Sequence, residues 1–217
     1  MRIFLKFLAF LFLLFTCVTV CGYFLWYKPK FDYHVSSAVF KKKPGINETV
    51  YARLKQKARL AEAFNEINDY DTGYCFLVDM KIASGKNRFF VYNLQKDSVE
   101  AAGLVTHGSG SDKGAGDLYF SNTANSNCTS LGKYRIGNSY NGKFGLAFKL
   151  YGLDRTNSNA FNRFVVLHSH SCVPESETEP FPICKSWGCP TVSPAFLKLL
   201  KKYIEEADKP VLLWIYY

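Results

Sequence analysis

Ile183-Cys184-Lys185-Ser186-Trp187-Gly188-Cys189-Pro190 packs more chemistry into a short span than any other stretch of this chain. A cysteine directly after glycine and directly before proline sits on a constrained turn. Glycine adopts backbone angles that other residues avoid, and proline fixes the exit. Such a turn can hold a thiol at a loop surface facing a cleft. Pro190 has no N–H, so oxyanion donors at this turn must come from Cys189, Gly188 or Trp187. The plainer reading is a buried or disulfide-bonded cysteine in a tight loop.

Upstream, Phe164-Val165-Val166-Leu167-His168-Ser169-His170-Ser171-Cys172 is a β-rich run that delivers His168 where a loop begins. A thiol of ordinary pKa, about 8.5, is only a few per cent thiolate at neutral pH and needs a base. A neutral imidazole in reach supplies one. His168 and His170 lie 21 and 19 residues before Cys189, so a loop folding back can bring either one close. In an extended chain the two share a face, and the choice between them stays open. His168, His170 and Cys172 would also suit a metal, but their spacing matches no standard zinc pattern, so no metal site is expected.

Working outward, short runs rich in Phe, Tyr and Val recur at 74–79, 88–92, 99–107, 133–136, 146–150, 163–168 and 211–217. Gly, Asn, Ser and Asp bound them. Leu54, Ala58, Ala61, Phe64 and Ile67 recur at helical spacing, predicting a helix over 49–68 capped by Thr49. Ser193-Pro194 predicts a second helix start, followed by a face of Phe196, Leu200, Tyr203, Ile204 and Ala207. Many strands with few helices predict a mainly β sandwich or barrel with flanking helices over 49–217, its β-rich core running from 74 to 217.

The N-terminal segment bears on the compartment. Between Lys6 and Lys28 no residue is charged, and the 21 residues from Phe7 to Tyr27 are long enough to span a bilayer. They end in Tyr23-Phe24-Leu25-Trp26-Tyr27, which resembles an interfacial aromatic belt rather than a cleavage site. Residues 1–27 are therefore expected to be a transmembrane signal anchor, with secretion through a cleaved signal peptide as the alternative. Residues 28–48, with Pro29, Pro44, Gly45 and Lys41-Lys42-Lys43, read as a solvated linker. The net charge of +9 suits an anionic surface. No nucleic-acid motif accompanies it, and no nucleic-acid partner is expected.

The segment from about Tyr74 to Leu200 resembles the murein L,D-transpeptidase catalytic domain family. Ser186-Trp187-Gly188-Cys189 is similar to its Ser/Thr-His-Gly-Cys signature, and Leu167-His168-Ser169 looks like its strand-end histidine. A divergent branch carrying Ser-Trp-Gly-Cys-Pro matches better. That branch also has a histidine–glycine pair, here Thr106-His107-Gly108-Ser109-Gly110-Ser111. Phe120-Ser121-Asn122 and Ser130-Leu131-Gly132 follow in the expected order. The resemblance implies an L,D-transpeptidase-like β fold without a cofactor, acting on peptidoglycan stem peptides outside the cytoplasm. The N-terminal segment would attach it to the cytoplasmic membrane.

The resemblance further implies that Cys189 is the nucleophile and His168 its base, with Ser186 and Gly188 shaping the catalytic turn. His170, Lys185, Trp187, His107, Ser121 and Asn122 are candidates for contacting or shaping the substrate site. Lys185 could hold a substrate carboxylate or be a solvated loop lysine, and His107 could line the cleft or simply bond a turn. Trp187 replaces the signature histidine, and Thr191 stands where many relatives carry a polar or cationic residue. Five cysteines lie outside the apolar segment, so two disulfides would leave one free thiol. Cys172 and Cys184, both between base and nucleophile, are the preferred pair. A different wall-directed thiol hydrolase and a non-catalytic wall-binding module are the competing readings.

Overall fold

The C-terminal strand lies in the middle of the sheet, not at its edge. In the computed structural model, which describes residues 2–31, 46–114 and 116–217, eight strands form one mixed sheet. They are β1 (Tyr74–Asp79), β2 (Phe89–Asn93), β3 (Ser98–Gly103), β4 (Gly132–Gly142), β5 (Gly145–Gly152), β6 (Val166–Ser169), β7 (Thr191–Val192) and β8 (Leu212–Tyr216). Their order is β3-β2-β1-β8-β4-β5-β6-β7. β8 runs parallel to β1 and antiparallel to β4, and β6 and β7 are parallel. The two ends of this order meet. Val105, just beyond β3, bridges Val192 of β7, and the Thr106 N–H donates to the Thr191 carbonyl at 2.9 Å. The sheet therefore curls until its two ends touch at this bridge, a barrel-like arrangement.

Side-chain alternation explains the layers. Phe76 and Val78 of β1 face an interior shared with Phe89, Val91, Phe148, Leu150, Leu167 and Leu213. Cys75 and Leu77 point to the other face and join Phe90, Tyr92 and Leu212 beneath Leu54, Ala58 and Ala61. Those three belong to the helix Glu48–Asn68, which we call α3. Before it come α1 (Arg2–Gly22), a π-helical turn (Tyr23–Tyr27) and a short α2 (Lys28–Phe31). The last helix, α4 (Pro194–Glu206), carries Phe196, Leu197 and Leu200 into the interior. Ser193 caps it, accepting from the Phe196 N–H at 3.3 Å. This is the expected mainly β fold with flanking helices, preceded by an apolar N-terminal helix.

Several details differ from the sequence reading. Asn47, not Thr49, caps α3, because its side chain accepts from the backbone N–H groups of Thr49 and Val50. The strand expected from 163 begins only at Val166, since Phe164 takes a positive φ of 55° in a turn. β7 was not expected, because two residues carry no periodic signal. Phe4–Tyr27 is long and apolar enough to cross a membrane, with a mean hydropathy of 2.4. Most of the expected linker, residues 32–45, lies outside the described residues.

Candidate active site

Parallel pairing of β6 with β7 sets His168 beside Thr191 in register. The 21-residue connection between these strands loops out and returns through the Gly188-Cys189 turn. Gly188 there has φ +112°, and a Cβ on it would lie 2.7 Å from the Cys128 carbonyl oxygen. Only glycine fits both conditions. Ser186 staples the turn, its Oγ accepting from the Gly188 N–H at 3.1 Å and donating to the Cys189 carbonyl at 2.7 Å. Thr106 Oγ1 donates to that same carbonyl at 3.2 Å. With the Gly188 N–H engaged, the amides of Trp187 and Cys189 are the donors at this turn left to face a developing oxyanion.

A cleft of about 200 Å³ opens over the turn. It is lined by Cys189, His168, His170, Ser186, Trp187 and Lys185 of the candidates, together with Thr106, Phe144, Cys172 and Thr191. His107, Ser121 and Asn122 lie elsewhere. Ser121 and Asn122 brace loops: the Ser121 carbonyl accepts from Arg163 Nη1 at 2.9 Å, and Asn122 Oδ1 accepts from the Asn159 N–H at 3.1 Å. His107 lines a separate cavity behind the turn. Lys185 reaches the cleft while its Nζ pairs with Asp112 at 2.5 Å.

The Cys189 thiol is unbridged and donates to the Phe164 carbonyl at 3.7 Å. Burial pushes its pKa up, opposed by the Val166 backbone N–H and the Arg163 guanidinium. The resting group is therefore a thiol. Burial also moves His168 down, so its imidazole is neutral at pH 7. Its Nδ1 sits 3.2 Å from the Ser169 carbonyl and must carry the proton, which leaves Nε2 as an acceptor, 3.0 Å from Thr191 Oγ1. At His170 the roles reverse. Nδ1 accepts from the Cys172 N–H at 3.1 Å, so in the neutral ring the proton sits on Nε2. Both imidazoles line the cleft, and the acceptor nitrogen of His168 is the one held by Thr191 of the cleft wall. Phe144 stacks on the His168 ring, with centroids 5.5 Å apart, and meets the edge of His170.

Cys172 and Cys184 form a disulfide, as preferred from the sequence, and Cys172 contributes to the cleft wall. The second bridge suggested by parity is absent among the described residues. Cys75 is fully buried in β1, and Cys128 is buried in a loop, donating to the Ser126 carbonyl at 3.3 Å. Among the described residues no cluster of three or more metal-ligating side chains occurs.

Two contributors escaped the sequence reading. Arg163 sits near Cys189, donating to Ser121 and Cys128 carbonyls and to the hydroxyls of Ser126 and Ser130. Phe144 comes from the β4–β5 hairpin. Neither has a local signal, since each acts through tertiary placement.

The family model of the L,D-transpeptidase catalytic domain matches residues 42–216. No curated protein matches the chain closely enough to count as a relative. Among solved structures, the crystal structure of the L,D-transpeptidase from Xylanimonas cellulosilytica is similar at 15% identity and a TM-score of 0.38. That likeness covers 66% of this chain and 60% of the other, so the match spans less than two thirds of the solved relative.

Proposed function

Because this chain belongs to the L,D-transpeptidase catalytic domain family, we propose that it cross-links peptidoglycan stem peptides through a thioester on Cys189. One observation carries this reading: the unbridged Cys189 thiol and the His168 imidazole line the same cleft, and the Ser169 carbonyl beside Nδ1 leaves Nε2 as the ring's acceptor.

In the proposed reaction His168 Nε2 accepts the Cys189 thiol proton as sulfur attacks the carbonyl carbon of an L-centre in the donor peptide. Because the thiol rests on the Phe164 carbonyl and Nε2 on the Thr191 hydroxyl, both hydrogen bonds give way as substrate enters. Trp187 and Cys189 amides hold the oxyanion. Such donors are each worth about 3 kcal/mol in acyl transfer. Collapse breaks the C–N bond, His168 returns its proton to the departing amine, and the D-residue leaves. An acceptor amine then attacks the thioester, giving its proton to His168, and the released thiolate recovers that proton. His170 Nε2–H and the Lys185 ammonium are donors suited to the substrate's carbonyl and carboxylate oxygens, while the exposed Trp187 ring borders the peptide path. The apolar helix Phe4–Tyr27 would anchor the catalytic part at the outer face of the cytoplasmic membrane.

The test is intact mass of the full chain in non-ionic detergent after exposure to a carbapenem, a class that acylates many members of this family. One covalent adduct is expected on the wild type, none on Cys189→Ala, and slow formation on His168→Ala. An adduct surviving Cys189→Ala would refute the assignment. Muropeptide products then separate transfer from hydrolysis: a new cross-link or exchanged D-residue is expected, and cleavage alone would mark a hydrolase.

A further inference from the structure

Behind the nucleophile turn lies a buried cation with no counter-charge. Arg88 is 1% exposed, yet its guanidinium meets only neutral acceptors. Nε and Nη2 donate to the Val105 carbonyl at 2.9 and 2.7 Å, Nη1 to the Ile82 carbonyl at 3.2 Å, and Nη2 again to His107 Nδ1 at 3.0 Å. Asp79, the carboxylate acting on it from a distance, is itself paired with Arg53 at 2.7 Å. Burial lowers the Arg88 pKa to about 9, which keeps it charged at neutral pH. Uncompensated buried charge is costly to a fold.

His107 sharpens the point. A guanidinium can only donate, so His107 Nδ1 accepts and the ring proton sits on Nε2. That Nε2–H is buried without a partner, on a side chain 6% exposed. Arg88 and His107 line a cavity of about 300 Å³ with Lys81, Ser84, Asp112 and Leu118 among their neighbours. Ser84 Oγ accepts from the Ile183 N–H and so keeps its own proton for donation. Asp112 is taken by Lys185 and by the Gly114 N–H. The polar groups without a hydrogen-bond acceptor are thus donors: one hydrogen of Arg88 Nη1, the buried His107 Nε2–H, the Ser84 hydroxyl and the Lys81 ammonium, which lies over the Tyr217 ring.

We infer that this cavity is a second binding site, distinct from the cleft over Cys189, for a small molecule or chain end bearing a carboxylate. A single negative charge matches the single uncompensated buried cation, and its oxygens suit the donors of the cavity wall, Arg88 Nη1, the Ser84 hydroxyl and Lys81. Met80, Ile82 and Leu118 supply an apolar wall for a short aliphatic body. The site is coupled to the catalytic turn through backbone, since the Ser186 N–H donates to the His107 carbonyl at 2.9 Å and the Ser109 N–H to the Ser186 carbonyl at 2.7 Å. The inference does not depend on the reaction proposed at Cys189.

The experiment follows the His107 ring by nitrogen-15 NMR in the full chain, in non-ionic detergent, at fixed ionic strength. Sodium acetate, acetamide and inorganic phosphate are titrated separately. Acetate is expected to give a saturable shift at His107 and acetamide none. No saturable shift, an equal response to acetamide, or tighter binding of phosphate than of acetate would overturn the carboxylate assignment. Arg88→Met removes the charge at similar volume and is expected to weaken acetate roughly tenfold or more, as loss of a charge-assisted hydrogen bond implies. A folded Arg88→Met protein with unchanged affinity would also overturn it, and should that variant not fold, the wild-type titration decides alone.

Discussion

At Cys189 the surroundings act against each other. Burial disfavours the thiolate, while the Val166 amide and the Arg163 guanidinium favour it, and the net shift is upward. At His168 burial disfavours the imidazolium. Both shifts favour the same state, a neutral thiol and a neutral imidazole lining one cleft, rather than a preformed ion pair. Alkylation of Cys189 by iodoacetamide should therefore rise with pH to a midpoint above the ordinary thiol value of about 8.5. Activity should persist as pH falls to about 6.5 and decline only below it, where His168 gains its proton. An alkylation midpoint below neutrality would establish an ion pair and remove the general-base role proposed for His168. The sequence disclosed residue types, since Gly188-Cys189-Pro190 and a strand-end His168 have local signatures. It left open the choice between His168 and His170, because tautomers depend on which carbonyl or amide the fold sets beside each ring.

The same division holds for elements. α3 and α4 were readable because burial on one face imposes a period, and seven of the strands because runs of Phe, Tyr and Val stand between turn residues. β7 was not, since Thr191–Val192 is held by partners far off in sequence, His168 and Ser169 on one side and Val105 on the other. The connection before β7 is a long excursion, and Cys172–Cys184 ties it down across a separation of 12 residues. Closing a loop of that size stabilises by about 3 kcal/mol in the chain-entropy view. Replacing both cysteines by serine should lower stability by a comparable amount in thermal melts. Because Cys172 walls the cleft and its N–H orients His170, the same variant should also acylate more slowly. Acylation at the wild-type rate after reduction would show that the bridge serves stability alone.

Over the whole molecule, the apolar N-terminal helix and the β-rich body were legible from composition. Closure of the sheet was not, because the contact of Val105 with Val192 joins residues that no local pattern relates. Closure has an electrostatic consequence. It buries His107 and His168 on either side of the same seam, and burial, the largest influence on each, lowers both pKa values, His107 to about 4. In the unfolded chain both return to about 6.5. Between those values the unfolded state binds protons that the folded state refuses, so stability is full above pH 6.5 and falls as pH drops toward 4. His107 alone should cost about 1 to 2 kcal/mol between pH 7 and pH 5, or roughly 4 °C in Tm for a domain of this size. Carboxylates held low by their partners, such as Asp112 beside Lys185, add their loss mainly at lower pH, which leaves this interval to the histidines. Thermal melts of the full chain at pH 7, 6 and 5 should show the decline, and His107→Gln should flatten most of it. A wild-type Tm constant across that interval would mean that neither ring is sealed within the closed sheet.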